Sequence, residues 1–397
     1  MSGQTYDVIV VGAGPAGSYA AYELASSGHN VAVLEEKSAS GLDVCCTGII
    51  STECFQALDP GTDTILTSVK SARFFSPSGR CLRLQTEDVQ AHVVNRLLLD
   101  KAMAYKAQTK GAQYVFSSQV IDIVPGKDSI QAEALCFGAK EKFTARAIVL
   151  ANGFKHKLPR KLSLGKIKHF LVGAQAEVEV RNVEEFEIYF GQTIAPGAFA
   201  WLVPTSPNTA YLGLLATSHA NLHLQQLLNG LDRVGRIASR EVKIGQKAIP
   251  IGTLSRTYGD RILVIGDAAG QVKPTTGGGI YFGHIGAGVA AQVLHEALIC
   301  DNLTAGYLSR YQRQWKARMG KELSRGYWAR WTYGRLSDHQ IDRIFDLAAS
   351  NGVAEILLNS GDFSFDWHTR LILAILRRSS VYPLLKIRRL FPCGAKS

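Results

Sequence analysis

The feature that most constrains this chain is a glycine-rich turn that directly follows a short apolar run near the N-terminus. Residues 7–11 read DVIVV, which is typical of a buried parallel strand, and the next six residues are Gly12-Ala13-Gly14-Pro15-Ala16-Gly17. A stretch compatible with a helix comes next, followed by a second apolar run that ends at Glu35. This order of strand, turn, helix, strand and acid predicts a dinucleotide-binding unit.

Each residue type in this unit has a physical reason. Gly12 allows the tight turn, Gly14 lets the backbone approach a diphosphate, and Gly17 lets the helix pack closely on the strand. A helix is predicted from Ser18 to Ser27, and the free N–H groups at its start attract the diphosphate. Pro15 and Ala16 are further predicted cofactor contacts. Glu35, with Glu36 beside it, is placed to accept the ribose hydroxyls. The alternative is an ordinary glycine-rich turn in an unrelated α/β protein.

A second segment about 250 residues later indicates which dinucleotide is bound. RILVIG at 261–266 is another buried-strand pattern, and Asp267 follows it. An acid at a strand end can bind a polyol hydroxyl, and glycines let a flavin ring lie against backbone. The ring contacts are predicted at Gly277, Gly278, Gly279 and Ile280. The pair of segments predicts FAD, although the second alone would also fit a turn with a capping acid.

These motifs resemble those of a known group of flavoproteins. GAGPAG and GDAAG, with the helix-start segment Asn95-Arg96-Leu97 between them, are similar to proteins with the p-hydroxybenzoate hydroxylase fold. Within that group, GDAAGQVKPTTGGGIYFG, Cys46-Thr47-Gly48 and PGAFAWLVP at 196–204 resemble the geranylgeranyl reductase family, over roughly residues 5–330. Phe199 and Val203 depart from the Tyr and Phe of the family motif. Asn152-Gly153 stands where the hydroxylases carry Asp-Gly.

The resemblance implies a reaction and further site residues. The expected activity is FAD-dependent reduction of isolated C=C bonds in a geranylgeranyl or other polyprenyl chain. Cys46 is the implied catalytic residue, as a proton donor or as a residue that shapes the pocket. Cofactor contacts are implied at Cys46, Thr47, Gly48, Arg96, Ala151 and Gly153. Burial statistics alone favour Phe199 and Trp201 as plain core residues. The resemblance instead implies a substrate pocket at Phe199, Trp201 and Pro204.

Two other functions fit the same residues. One is a flavin monooxygenase or hydroxylase, which would use oxygen, and the other is a membrane-associated electron-transfer flavoprotein. The reductant is open between NADPH, for which the chain shows no second GxGxxG motif, and a reduced ferredoxin, which would suit a basic surface. The exact lipid substrate is open as well.

The fold class predicted is α/β, with a discontinuous doubly wound FAD-binding domain, a mostly antiparallel β substrate domain and a helical C-terminal region. The expected FAD-binding domain comprises residues 1–68, 86–165 and 250–305. The substrate domain comprises 69–85 and 166–249, and the helical region comprises 306–397.

Charge and cysteine content bear on partners and location. The formal net charge is +11, but no nucleic-acid recognition motif accompanies it, so nucleic acid is not an expected partner. An isoprenoid lipid is the partner that the family resemblance implies. The seven cysteines are scattered without CxxC spacing, which favours a reducing cytoplasm and no metal site. Residues 367–391 mix bases with apolar residues, so peripheral attachment to the inner face of the cell membrane is also expected.

Overall fold

A computed structural model describes residues 5–154, 157–237, 242–350 and 364–369. The strands are β1 (Thr5–Val11), β2 (Val31–Leu34), β3 (Ile49–Ser51), β4 (Ile65–Val69), β5 (Ser71–Phe75), β6 (Cys81–Gln85), β7 (Ala91–Val94), β8 (Gln113–Val115), β9 (Ser118–Pro125), β10 (Ile130–Cys136), β11 (Ala139–Leu150), β12 (Phe170–Glu179), β13 (Phe186–Phe190), β14 (Phe199–Pro204), β15 (Thr209–Ala216), β16 (Gly245–Pro250), β17 (Tyr258–Gly259) and β18 (Ile262–Val264). The α-helices are α1 (Pro15–Ser26), α2 (Thr52–Leu58), α3 (Arg96–Thr109), α4 (Lys157–Lys161), α5 (Ala220–Arg233), α6 (Ile280–Ile299), α7 (Ala305–Trp315), α8 (Lys321–Tyr333) and α9 (Asp338–Ser350).

The chain divides into two compact units, each built from separate stretches of sequence. The first unit comprises Met1–Leu66, Val94–Phe170 and Ala248–Leu323. The second comprises Thr67–Val93, Leu171–Lys247 and Ser324–Ser397. The predicted α/β fold class is confirmed, with a first domain assembled from separate stretches of sequence, a largely antiparallel second sheet and helices after residue 305.

The first unit is organised around a sheet with the strand order β17-β18-β11-β1-β2-β8, in which β17 pairs antiparallel with β18 and the other neighbours run parallel. β1 pairs in parallel with β2 on one side and with β11 on the other, so Val8 lies opposite both Val31 and Ala147. β11 in turn pairs in parallel with β18. Side chains of β1, β2 and β18 are almost entirely buried, as their continuous apolar sequences predict. The loops after β1, β11 and β18 therefore leave the sheet at the same edge, which is where such folds bind ligands.

The second unit contains a sheet with the order β16-β12-β15-β14-β13-β5-β6. Four pairs of neighbours are antiparallel, namely β12–β15, β15–β14, β14–β13 and β5–β6, whereas β13 and β5 run parallel. The turn Ser76-Pro77-Ser78-Gly79 joins β5 to β6, as its sequence predicts. One face of the sheet packs its apolar side chains against α5, with Leu202, Leu212 and Leu224 in a common core.

The helices after residue 305 are divided between the units. In the first unit, Trp315 of α7 donates a hydrogen bond from Nε1 to Thr257 Oγ1 at 3.0 Å. In the second, Asp342 of α9 accepts from the backbone N–H and the hydroxyl of Ser78, at 3.1 and 2.7 Å. No helix in the described ranges is long and apolar enough to span a membrane. The predicted membrane-binding stretch 367–391 lies outside the described residues except for 367–369.

Candidate functional site

The glycine-rich turn after β1 is held in place by close backbone contacts. Gly12 has a positive φ of 104°, and a Cβ placed on it would lie 2.6 Å from the carbonyl oxygen of Ala151. A Cβ on Gly17 would lie 2.0 Å from the carbonyl oxygen of Gly12. By contrast, a Cβ on Gly14 would meet no protein atom within 4 Å. Two glycines are thus required by packing, and Gly14 alone faces open space.

Gly14 is also the N-cap of α1, and no side chain caps this helix. Pro15 occupies the first turn, where its missing N–H costs no hydrogen bond. The backbone N–H groups of the first turn have no partner inside the helix, and the helix dipole adds partial positive charge there. An uncapped helix start beside open space is well suited to a diphosphate.

Glu35 is fixed at the end of β2. Its Oε2 accepts a hydrogen bond from the backbone N–H of Ala13 at 2.7 Å, and its Oε1 accepts from the N–H of Lys37 at 3.0 Å. These bonds hold the carboxylate against the glycine-rich turn while leaving each oxygen a second lone pair. Glu36 is exposed next to it. The location fits the predicted ribose contact.

The two glycine-rich segments come together in the first unit. A Cβ on Gly266 would lie 3.1 Å from the Cβ of Ala16, and a Cβ on Gly283 would lie 3.3 Å from it. Asp267 lies just after β18, in a short 3₁₀ turn, and its Oδ1 is 2.6 Å from the position of a Cβ on Gly279. The start of α6, the Asp267 carboxylate and the start of α1 therefore share one edge of the parallel sheet.

A buried network that the sequence analysis missed supports the Asp267 turn. Gln271 accepts from the N–H of Gly266 at 2.8 Å and donates to the hydroxyl of Tyr311 at 2.8 Å. Tyr311 in turn donates to the carbonyl oxygen of Val264 at 2.8 Å. Gln271 and Tyr311 are both fully buried. Tyr311 lies on α7, about 40 residues away in sequence, so no local pattern signals its role.

The predicted Gly277-Gly278-Gly279 segment forms a tight loop before α6. Gly277 has a positive φ of 77° and donates from its N–H to the carbonyl oxygen of Lys273 at 2.8 Å. A Cβ on Gly278 would lie 2.8 Å from the Cε of Lys273, which is itself buried. Ile280 then begins α6. Larger residues at 278 or 279 would displace the side chains that shape this loop.

Cys46 lies beside a buried ion pair. Its Sγ accepts from the N–H of Gly48 at 3.4 Å, and its thiol is also a hydrogen-bond partner of the Arg96 guanidinium. Arg96 donates to both carboxylate oxygens of Asp100, at 2.9 and 3.1 Å. Burial opposes the charge of Arg96, but Asp100 and Cys46 more than offset it and raise the pKa of the guanidinium above its usual range. The structure thus brings Cys46, Gly48 and Arg96 together, with Thr47 half-buried between them.

Ala151, Asn152 and Gly153 follow β11 and border the same turn as Gly12. A Cβ on Gly12 would lie 3.1 Å from the Cα of Asn152. The side-chain Oδ1 of Asn152 is buried and has no hydrogen-bond partner within the part of the chain that the structure describes. An unpartnered buried acceptor at the edge of an open space fits a site for a polar ligand.

These residues fit FAD. The uncapped start of α1 and the room at Gly14 suit the diphosphate, Glu35 suits the ribose, and Asp267 with the glycine loop suits the ribityl chain and the ring. No group of three or more metal-ligating side chains occurs among the described residues.

His284 of α6 lies close to this site but is held as a neutral side chain. Its ring packs against Tyr19 with a centroid distance of 4.1 Å, and its Nδ1 has no hydrogen-bond partner among the described residues. Burial lowers the pKa of His284 from 6.5 to about 4. The histidine is therefore uncharged near neutral pH.

Acid should destabilise the protein through His284. Because its pKa is lower in the folded state than in the unfolded state, its contribution to stability is complete above about pH 6.5 and is lost as the pH falls toward 4. We expect the free energy of unfolding, measured in urea at stepped pH, to fall by up to about 3 kcal/mol from this group. His284→Phe keeps a ring against Tyr19 and should flatten the pH dependence. Parallel pH curves for the two proteins would contradict this assignment.

Phe199, Trp201 and Pro204 lie on β14 of the second unit, where side chains alternate between the two faces. Phe199 and Trp201 share one face, with ring centroids 5.9 Å apart, and the Trp201 ring lies over Gly213 of β15. Any Cβ on Gly213 would lie within 2.5 Å of that ring. Pro204 is buried and lies on the opposite face, so the structure brings together two of the three predicted pocket residues.

Three kinds of comparison relate this chain to known proteins. The model of the lycopene cyclase protein family matches residues 7–343. The digeranylgeranylglycerophospholipid reductase of Methanocaldococcus jannaschii is 31% identical over 352 residues, covering 85% of this chain and 89% of the relative. A reductase of the same name from Methanothermobacter thermautotrophicus is 29% identical over 349 residues, covering 85% and 90%.

Solved structures share the fold. A geranylgeranyl bacteriochlorophyll reductase-like protein from Thermoplasma acidophilum superposes with a TM-score of 0.85 at 23% identity, covering 96% of this chain and 99% of that one. The myxobacterial chondrochloren halogenase, a variant of FAD-dependent halogenases, superposes with a TM-score of 0.66 at 15% identity, covering 94% and 96%.

Proposed function

The chain belongs to the geranylgeranyl reductase family of FAD-dependent oxidoreductases, and on this premise we propose that it saturates isolated C=C bonds in the geranylgeranyl or other polyprenyl chains of a lipid. The observation that carries the proposal is the convergence of the two glycine-rich segments on one sheet edge, with open space at Gly14. The relatives named above add the substrate class, since their names specify a lipid with two geranylgeranyl chains.

Several residues of the first unit would hold the cofactor in place. The N–H groups at the start of α1 bind the diphosphate, Glu35 the ribose and Asp267 the ribityl chain. Arg96 and the loop Gly277–Ile280 complete the contacts. Reduced FAD, when bound, supplies a hydride from N5.

Cys46 is the proposed source of the proton for the second alkene carbon. Two donors, the Gly48 N–H and the Arg96 guanidinium, are directed at its sulfur. Both would stabilise the thiolate that remains after a proton has left. Phe199 and Trp201, which share one face of β14, and Pro204 are the residues proposed to bind the apolar lipid chain.

The function is tested by incubating dithionite-reduced protein with a lipid that carries geranylgeranyl chains, followed by mass spectrometry. We expect products heavier by two hydrogens for each bond reduced. A hydroxylated product formed with oxygen would instead support the monooxygenase, and turnover of a quinone with an unchanged lipid would support an electron-transfer flavoprotein. The proposed reductant is either NADPH or a reduced ferredoxin, and peripheral attachment to a membrane is the proposed location.

Replacing Cys46 should slow turnover without removing the cofactor. Cys46→Ala should keep the flavin absorbance spectrum and reduce the rate of alkene reduction about tenfold or more, which is the low side of a lost general-acid contribution. Cys45→Ala is the matched control, because it removes the neighbouring half-buried thiol. Equal rates of alkene reduction in Cys46→Ala and wild type would show that the thiol is not the proton donor.

A further inference from the structure

A strongly basic surface lies on the first unit, apart from the cofactor contacts. Residues 157–170 contain five bases and no acid. All five side chains are exposed; they are Lys157, Arg160, Lys161, Lys166 and Lys168. We call this surface the basic strip.

Most of this charge is uncompensated within the part of the chain that the structure describes. Lys161 forms an ion pair with Asp122 at 3.0 Å. Within the described ranges, the other four bases form no ion pair. Lys157, Arg160 and Lys161, with Ile121, also line an open pocket of about 530 Å³. Uncompensated like charges on one surface raise the local positive potential, which attracts an acidic partner.

The apolar side chains of this segment face inward. Leu158, Leu164 and Ile167 are 4%, 1% and 4% exposed and belong to the core of the first unit. Phe170 is the exception, at 45% exposed, with its ring 5.7 Å from that of Phe154. The strip therefore presents charged side chains on a segment that is anchored in the core, with little exposed apolar surface to insert into a bilayer. This arrangement favours a soluble acidic protein over a lipid surface.

The strip is close to the predicted flavin turn. Ser255 donates from its hydroxyl to the carbonyl oxygen of Leu164 at 3.1 Å, and the N–H of Ile251 donates to the carbonyl oxygen of His169 at 3.1 Å. The same 251–255 segment reaches the Asp267 turn, where the N–H of Leu254 donates to the carbonyl oxygen of Ala269 at 3.0 Å. A single stretch of chain thus separates the strip from the turn that carries Asp267.

We propose that the basic strip is the docking surface for an acidic protein electron carrier that reduces the cofactor. This inference rests on the proposed function, because saturation of one C=C bond consumes two electrons and two protons. A one-electron carrier must then dock twice for each bond, and each carrier leaves oxidised. Charge attraction of this kind gives fast, salt-sensitive association.

The test uses an acidic [4Fe–4S] ferredoxin as the probe and the full-length holoprotein. Binding is measured by calorimetry at low and at high ionic strength. The docking variant is Lys157→Glu, Arg160→Glu, Lys166→Glu and Lys168→Glu. The matched control reverses four other exposed bases of the same unit: Lys101→Glu, Lys110→Glu, Lys127→Glu and Lys140→Glu.

We expect wild type to bind the ferredoxin more tightly at low salt than at high salt. At low salt, the affinity should fall by a few-fold at most in the control and by about 100-fold or more in the docking variant. Ferredoxin-driven alkene reduction should fall in the docking variant, whereas dithionite-driven reduction should persist. If wild type showed no dithionite-driven alkene reduction, the proposed function would be wrong. The binding measurement would still test the docking surface on its own.

Wild-type protein provides a second measurement that does not depend on the folding of a variant. Carbodiimide cross-linking joins carboxylates of the ferredoxin to nearby lysines, and mass spectrometry should find the links at Lys157, Lys166 and Lys168. Equal binding by the docking variant and the control would overturn the proposal, as would links elsewhere or no binding by wild type. If the docking variant lost binding to phosphatidylglycerol vesicles but still bound the ferredoxin, the strip would be assigned to a membrane surface instead.

Discussion

Gly14→Val should give a folded protein that contains no FAD. Gly14 has φ −71° and ψ 177°, an extended conformation that valine adopts readily. A Cβ at this position meets no protein atom within 4 Å, so the substitution causes no clash in the polypeptide. The added side chain would instead fill the space through which a diphosphate approaches the start of α1. The purified variant should be colourless, with a urea midpoint near that of wild-type protein stripped of FAD.

Gly17→Val is the contrasting variant in the same turn. Its Cβ would lie 2.0 Å from the carbonyl oxygen of Gly12, so the fold itself must yield. We expect this variant to lose stability as well as cofactor. Absorbance at flavin wavelengths and urea unfolding separate the two outcomes. A yellow, FAD-replete Gly14→Val protein would show that the diphosphate binds elsewhere.

Asp100→Ala should be among the most destabilising single substitutions in the first unit. The side chains of Arg96 and Asp100 are only 11% and 3% exposed, so removal of the carboxylate leaves a buried guanidinium without its main counterion. Loss of one partner of a buried pair typically costs about 3–5 kcal/mol of unfolding free energy. The variant should also release the guanidinium from its place beside Cys46. Urea unfolding of the FAD-free protein measures the effect directly.

Two comparisons sharpen this test. The double variant Arg96→Met, Asp100→Leu removes both charges and should recover much of the lost stability, because no unpaired ion stays buried. Lys106→Met breaks the exposed pair with Asp59 and should change the midpoint little, since water solvates both charges. A small effect of Asp100→Ala, similar to that of Lys106→Met, would mean that water or another group already compensates Arg96.

Much of the first unit was predictable because its signals are local. The run DVIVV, the glycines that follow it and Glu35 lie within 30 residues, and each has a steric or electrostatic reason that holds in any such fold. The mostly antiparallel β character of the second unit was also predictable, since its strands are short apolar runs such as β13 at Phe186–Phe190. Patterns of apolar residues and turns indicate where strands, helices and turns lie along the chain, and these positions are what they predicted here.

The sequence by itself determined the glycine-rich cofactor loop, the discontinuous α/β architecture and the residue types that a dinucleotide requires. Only the tertiary structure decided which distant residues meet. Ala16 packs against Gly266 and Gly283, and Tyr311 fixes the turn that precedes Asp267. The tertiary structure also decided that residues 157–170 form a basic surface, because the fold buries their apolar side chains and leaves the bases exposed. Contacts between residues far apart in the chain depend on strand order and packing, and neither is encoded in a short stretch of sequence.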